Sequence, residues 1–282
     1  MVRTHRLYTR TIGRQGRWAL AALCLALVLG DTPALAWGRW GHRASARLAE
    51  ARLMPSTLAA LRALLPAGES LADASTWADE VRRDRPESAP WHYVNVPLSE
   101  SAYSSRFCPA EGCVVGKIED FRKVLADRTA STDARRDALR YLVHFVQDMH
   151  QPLHVGDRSD RGGNSCQVQF FDQGSNLHRV WDSGLFENAF ADENALARDL
   201  EALAAAPGSA QWSLGDPADW ATESLRAARA AYIDPRTGSA LKIGAKLSDA
   251  YSAVSLPVAR TRAAQSGVRL ARLLNEALGV KP

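Results

Sequence analysis

His144 and Asp148 stand four residues apart in a segment whose apolar residues recur at helical spacing, so an imidazole and a carboxylate share one helix face. The same His-x-x-x-Asp spacing returns at His178 and Asp182. His154 follows Pro152, where the first of these helices must bend or end. Asp79 closes the run Trp77-Ala78-Asp79, His92 lies in Trp91-His92-Tyr93, and His42 stands further upstream. A lone His-x-x-x-Asp reads as an ion pair on a helix surface. Five histidines with this company, out of six beyond residue 36, point instead to metal binding. Helical bundles build such centres from facing helices that each present imidazole and carboxylate. Imidazole and carboxylate without thiolate suit zinc, with manganese or iron as weaker options, and supply too few oxygens for calcium. His150 falls outside the pattern and is expected to be an exposed residue at a helix end.

The elements that must position these residues read mainly as helix. Apolar residues recur at helical spacing through 43–53, 56–65, 115–125, 133–149, 194–205 and 217–231, and a long helical stretch runs from 248 to 278. Pro257 is a place where that stretch could kink or restart. Two short runs alternate like strands, His92–Val96 and Gln167–Phe171, and are expected to pair as one small β ribbon. Glycine and proline mark loops at 157–163, 207–208 and 234–238. The expected fold is mainly α, a single multi-helix domain over residues 37–282.

Residues 1–36 read as a cleaved signal peptide. Arg3, Arg6, Arg10, Arg14 and Arg17 precede an apolar run from Trp18 to Leu29, and Ala34-Leu35-Ala36 makes a small-x-small cleavage site. The apolar run is too short to span a bilayer, and no later stretch is long and apolar enough. A secreted or periplasmic protein without stable membrane association is therefore expected, and no protein partner is implied. The chain carries 35 Lys+Arg against 31 Asp+Glu; removal of five arginines and Asp31 leaves 30 of each. A broad phosphate-tracking basic patch is therefore not expected, and any affinity for nucleic acid is expected to come from a local site. Cys108 and Cys113 lie close together in a loop of a chain bound for an oxidising compartment and are expected to form a disulfide, with Cys166 buried and free.

Several runs resemble one family. They are Trp37-Gly38-x-x-Gly41-His42, Trp77-Ala78-Asp79, His92-Tyr93, His144-Phe145-x-x-Asp148-x-x-Gln151-Pro152-Leu153-His154, Gly162-Gly163-Asn164 and Asn176-Leu177-His178-x-x-Trp181-Asp182. In order, spacing and residue type they resemble the trinuclear-zinc, single-strand-specific nucleases and 3′-nucleotidases of the mung bean nuclease type. The resemblance implies a zinc phospholipase C/nuclease-like fold and three zinc ions. One would take Asp79, His92 and His144. A second would take the α-amine and carbonyl of Trp37 together with His42, with Asp148 bridging these two ions. The third would take His154, His178 and Asp182.

The same resemblance implies endonucleolytic hydrolysis of single-stranded DNA and RNA to 5′-phosphorylated products, with 3′-nucleotidase activity on nucleotides. Asp148 and Arg82 would be catalytic, Arg82 by stabilising charge on phosphate in the transition state; an ordinary surface arginine fits the residues equally well. Tyr93 would offer a ring on which a base stacks, although core packing also accounts for it. Asn95 departs from the aspartate of fungal members, which leaves base preference open, and Asn164 would line the site. Zinc phospholipases C are the rival enzyme class, but they have a longer gap between the first Trp and its histidine and Glu in place of Asp182. A non-catalytic exported zinc-binding protein is the second rival, weakened because no ligand position is missing.

Overall fold

The computed structural model describes residues 37–279; the expected signal peptide, residues 1–36, lies outside the described residues. The helices are α1 (Arg39–Glu50), α2 (Pro55–Leu64), α3 (Leu71–Ala74), α4 (Trp77–Glu80), α5 (Val114–Ala126), α6 (Thr132–His150), α7 (Leu177–Arg179), α8 (Leu185–Ala189), α9 (Glu193–Ala205), α10 (Pro217–Ala231) and α11 (Asp249–Leu278). The long ones follow the apolar period closely, because each buries one stripe and leaves the other wet. Their starts carry chemical signals. Ser131 accepts from the Ala134 N–H ahead of α6, and Asp192 accepts from the Ala195 N–H ahead of α9. Asp216 and Asp219 form a capping box around Pro217, which opens α10 at the residue where proline costs least.

α6 is the central rod. From Ala138 to His150 all but one residue is buried, and α5 packs along it. α11 lies across α1, α9 and α6. Two apolar clusters result. The larger gathers Leu61, Ile118, Leu125, Leu142, Phe145, Leu270 and Leu274 between α2, α5, α6 and α11. The smaller gathers Trp37, Trp181, Phe186, Leu196, Leu200 and Leu247 around α1, α8, α9 and a strand. Each fully buried Leu or Phe contributes roughly 1.5–3 kcal/mol, so these clusters hold the helices that carry the site. α11 runs unbroken through Pro257, which is exposed.

Strand content is small and paired otherwise than expected. β1 (Val96–Pro97) pairs in parallel with β2 (Gly156–Asp157). β3 (Gln167–Phe170) pairs antiparallel with β4 (Gln173–Asn176) and in parallel with β5 (Ala245–Leu247). The expected ribbon between 92–96 and 167–171 does not form, and His92 instead ends a 3-10 turn over Pro86–His92. Alternation specifies which face a strand buries, not which strand lies beside it. Phe171 and Asp172 both have positive φ and close the β3–β4 hairpin as a two-residue turn. Cys108 and Cys113 are bridged, and Cys166 is buried and free. No helix among the described residues is long and apolar enough to cross a membrane.

α1 and α11 touch at Gly267, where an added Cβ would lie 2.8 Å from the Ser45 carbonyl oxygen and 3.0 Å from Leu48 Cβ. Because backbone cannot yield as a side-chain tip does, Gly267→Ala should destabilise the fold by about 1–3 kcal/mol. A denaturant midpoint unchanged from the parent would contradict this account of the contact.

Candidate metal centre

α6 presents His144 and Asp148, both wholly buried. α1 brings His42 from one side, and its ring stacks on His144 with centroids 4.2 Å apart. α4 brings Asp79, and the 3-10 turn after it brings His92. The Asp148 carboxylate is the hub. Its Oδ1 lies 3.4 Å from His42 Nε2, and its Oδ2 lies 3.0 Å from His92 Nδ1 and 3.2 Å from His144 Nε2. Asp79 Oδ1 stands 3.6 Å from His144 Nε2 and 3.8 Å from His92 Nδ1.

A third group sits where α6 ends. Pro152 turns the chain into a 3-10 turn that presents His154, and α7 presents His178. Asp182 follows on a π-helical turn over Val180–Gly184, not on a regular helix as its spacing suggested. His154 Nε2 and His178 Nε2 are 3.1 Å apart, and Asp182 Oδ2 is 3.4 Å from His178 Nε2. Three groups of donors thus converge, each within 4.8 Å: His42, His144 and Asp148; Asp79, His92 and His144; His154, His178 and Asp182.

The donor atoms fit cations. His42 Nε2, Asp79 Oδ1 and Asp148 Oδ1, which face the cluster, are buried and have no hydrogen-bond partner among the described residues. Orphaned buried acceptors are costly unless an ion or water satisfies them. Four of the five histidines have the opposite ring nitrogen tied down. His42 Nδ1–H donates to Gln147 Oε1 at 2.5 Å, whose amide donates in turn to the His42 carbonyl. His144 donates to Ser75 O, His154 to His92 O and His178 to Gly162 O, at 2.7, 2.8 and 2.7 Å. These bonds tie Nδ1–H outward and leave each Nε2 facing inward, the usual outer arrangement of a metal-binding imidazole. Gln151 holds Asp182 Oδ1 at 2.5 Å.

Charge inside the cluster is uneven. Burial alone would lower His144, but the Asp148 and Asp79 carboxylates outweigh it and hold the imidazolium at about 9. Burial dominates at His154 and His178, which fall to about 3 and about 4. It also pushes Asp182 well above the ordinary carboxylate range.

Trp37 is buried beside this centre, its ring 5.1 Å from Phe186, and the Gly38 N–H donates to Asp182 O at 2.7 Å. Arg82 is half-buried and near enough for its charge to depress His178. Tyr93 is 37% exposed, so it is not a core residue. Its carbonyl accepts from the Val114 N–H, directly after the bridged Cys113. Asn95 is exposed, and the Asn164 side chain donates to Arg161 O at 2.9 Å. His150 is not the expected exposed residue. It is fully buried, donates to Val146 O and accepts from Arg269, in a network with Glu223 and Arg262. The apolar period of α6 runs through its last residue, and partners far along the chain satisfy the ring. Gln147 was also missed, although its place beside Asp148 on the buried face of α6 was a signal.

A helical fold that builds three histidine–aspartate groups, two of them sharing one buried carboxylate environment, defines a protein with a candidate trinuclear metal centre. The chain belongs to the S1/P1 Nuclease family, whose model matches residues 37–279. It is 34% identical over 269 residues to Endonuclease 2 of Arabidopsis thaliana, covering 86% of this chain and 91% of that one. Against Endonuclease 3 of the same plant it is 31% identical over 288 residues, covering 94% of this chain and 96% of that protein. Against Nuclease P1 of Penicillium citrinum it is 30% identical over 267 residues, covering 86% and 98%.

Because His144 is protonated near neutrality and a ligating imidazole must be neutral, loading metal at pH 7.5 should expel about one proton from it. Titration calorimetry of chelator-stripped protein in buffers of different ionisation enthalpy would measure this. The His144 contribution should vanish above its pKa of about 9, so apparent metal affinity should rise with pH up to that value. Affinity independent of pH from 7 to 10 would remove the imidazolium.

Proposed function

We propose that this chain is the precursor of an exported zinc-dependent nuclease that hydrolyses single-stranded DNA and RNA to 5′-phosphorylated products and acts on 3′-nucleotides. Residues 37–282 would be the nuclease domain and residues 1–36 the cleaved leader. The observation that carries the reading is three buried donor groups, two of them meeting at the Asp148 carboxylate, with four of the five imidazoles already tied at the outer ring nitrogen, in a member of a nuclease family. Zinc is the ion that best suits an imidazole–carboxylate set without thiolate. When bound, three zinc ions would lower the pKa of water and neutralise charge on the scissile phosphate.

The chain's own residues supply the rest. Asp148 offers one oxygen toward His42 and the other toward His92 and His144, so it bridges two donor groups. Trp37 would complete the His42 group through its α-amine and carbonyl. Arg82, beside the His178 group, would stabilise negative charge on phosphate as the P–O3′ bond breaks. Tyr93 would stack on an unpaired base at the rim, with Asn95 and Asn164 as polar neighbours. A base already stacked in a duplex cannot reach such a ring, which gives a physical basis for single-strand preference.

Digestion of an end-labelled DNA hairpin by protein beginning at Trp37 tests this reading. Cleavage should start in the loop, leave 5′-phosphates and stop with chelator; equal rates on stem and loop would remove the single-strand claim. Tyr93→Ala should weaken single-strand binding by about 1–3 kcal/mol at unchanged metal content, with Tyr93→Phe close to the parent.

The leader tests the Trp37 ligand. A peptide amide binds metal poorly because its lone pair is delocalised, whereas a free α-amine titrates near 7.7–8.0. A form with one extra Ala before Trp37 should lose about one zinc of three and most activity while keeping its helical content. Equal zinc and activity in both forms would overturn the N-terminal ligand.

A further inference from the structure

The loop between His154 and β3 has an unusual backbone. Ser159, Arg161, Gly162 and Gly163 have φ of 61°, 60°, 59° and 85°, a conformation that side-chain-bearing residues rarely adopt. Glycine is required at 162, where a Cβ would meet the Leu153 carbonyl oxygen at 2.2 Å. The reason for this path lies at its end. The Gly162 carbonyl receives the His178 Nδ1–H at 2.7 Å, and the Gly163 carbonyl faces the His178 N–H at 3.4 Å.

Two carboxylates hold the path open. Asp157, anchored on β2, accepts the N–H groups of Asp160 and Gly162 on one oxygen, at 3.0 and 2.9 Å. Asp160 accepts the Gly163 N–H at 2.8 Å and the Tyr232 hydroxyl at 2.7 Å on one oxygen. Arg158 completes the cluster, 3.4 Å from the other Asp160 oxygen and over the Tyr232 ring at 4.4 Å. Tyr232 caps the end of α10, so a helix well downstream of His178 is tied to the loop that orients it.

We infer that Asp157 and Asp160, braced by Tyr232, are positioning residues for His178: they hold the Gly162 carbonyl where it fixes the His178 ring. Neither carboxylate belongs to the three donor groups. Their effect passes through one hydrogen bond to one imidazole and should reach the His154–His178–Asp182 group alone. The inference rests on the zinc reading for its functional consequence, but the hydrogen bond itself exists without metal.

Two measurements on mature protein test it. In chelator-stripped protein, the His178 Nδ1–H resonance should be protected from exchange in the parent. It should broaden or vanish in Asp157→Ala and Asp160→Ala, and persist in Asp157→Asn, whose amide oxygen still accepts. In zinc titrations against a competing chelator, the Ala variants should lose about 10–100-fold in affinity for one ion of three, the range for outer hydrogen-bond partners, with the other two unchanged. Tyr232→Phe removes one hydroxyl and gives a milder form of the same pattern if an Ala variant fails to fold. An unaltered His178 resonance in the Ala variants or Tyr232→Phe would overturn the inference, as would equal weakening of all three ions. A parent protein that binds fewer than three zinc ions would instead count against the trinuclear reading, leaving the resonance test to decide the positioning role.

Discussion

A carboxylate buried away from water is expensive unless charge and hydrogen bonds surround it, and Asp148 is such a carboxylate at the centre of this molecule. Imidazoles from α1, from the Pro86–His92 turn and from its own helix surround it, and the His144 charge holds it far below the ordinary carboxylate range against the opposing pull of burial. Each partner arrives on a different element. The Asp148 environment is therefore assembled only when α1, α6 and the segment 77–92 are all in place.

The supports behind these imidazoles come mostly from backbone. Ser75, His92 and Gly162 offer carbonyls, and Gln147 offers the one side-chain anchor to a ring. A carbonyl set by a turn cannot rotate away as a side chain can, so the irregular segments around the centre act as rigid parts of it. Two of them are themselves braced: the 157–163 loop by carboxylates, and the segment from Tyr93 by its bond to Val114 beyond the Cys108–Cys113 bridge. Tyr93, next in sequence to the buried His92, is an exposed ring.

A second polar network meets the same helix at its C-terminal end. Arg262 and Arg269 on α11 are buried, paired with Glu223, and Arg269 donates to His150 at the end of α6. The Arg269 and Arg272 guanidiniums both lie over the Trp220 ring. Burial and the neighbouring arginine charges push His150 well below its ordinary value, so it stays neutral and can accept that bond. The network ties α10 and α11 to the end of the helix that carries His144 and Asp148.

The sequence by itself determined the long helices and which residues could bind metal. Helical period is a local property, and four-residue spacing places His144 beside Asp148 in any α-helix. The close cysteine pair and the small strand content were legible for the same local reason. Tertiary structure alone decided the rest. It chose the partners of the short strands, the π turn beneath Asp182, the burial of His150, and the roles of Gln147, Asp157, Asp160 and Tyr232 around the imidazoles. Those roles join residues whose separation along the chain carries no period: Gln147 to His42 across 105 positions, and Tyr232 to Asp160 across 72. A hydrogen bond between distant residues is set by how helices pack, and packing is a sum over the whole core that no local spacing encodes.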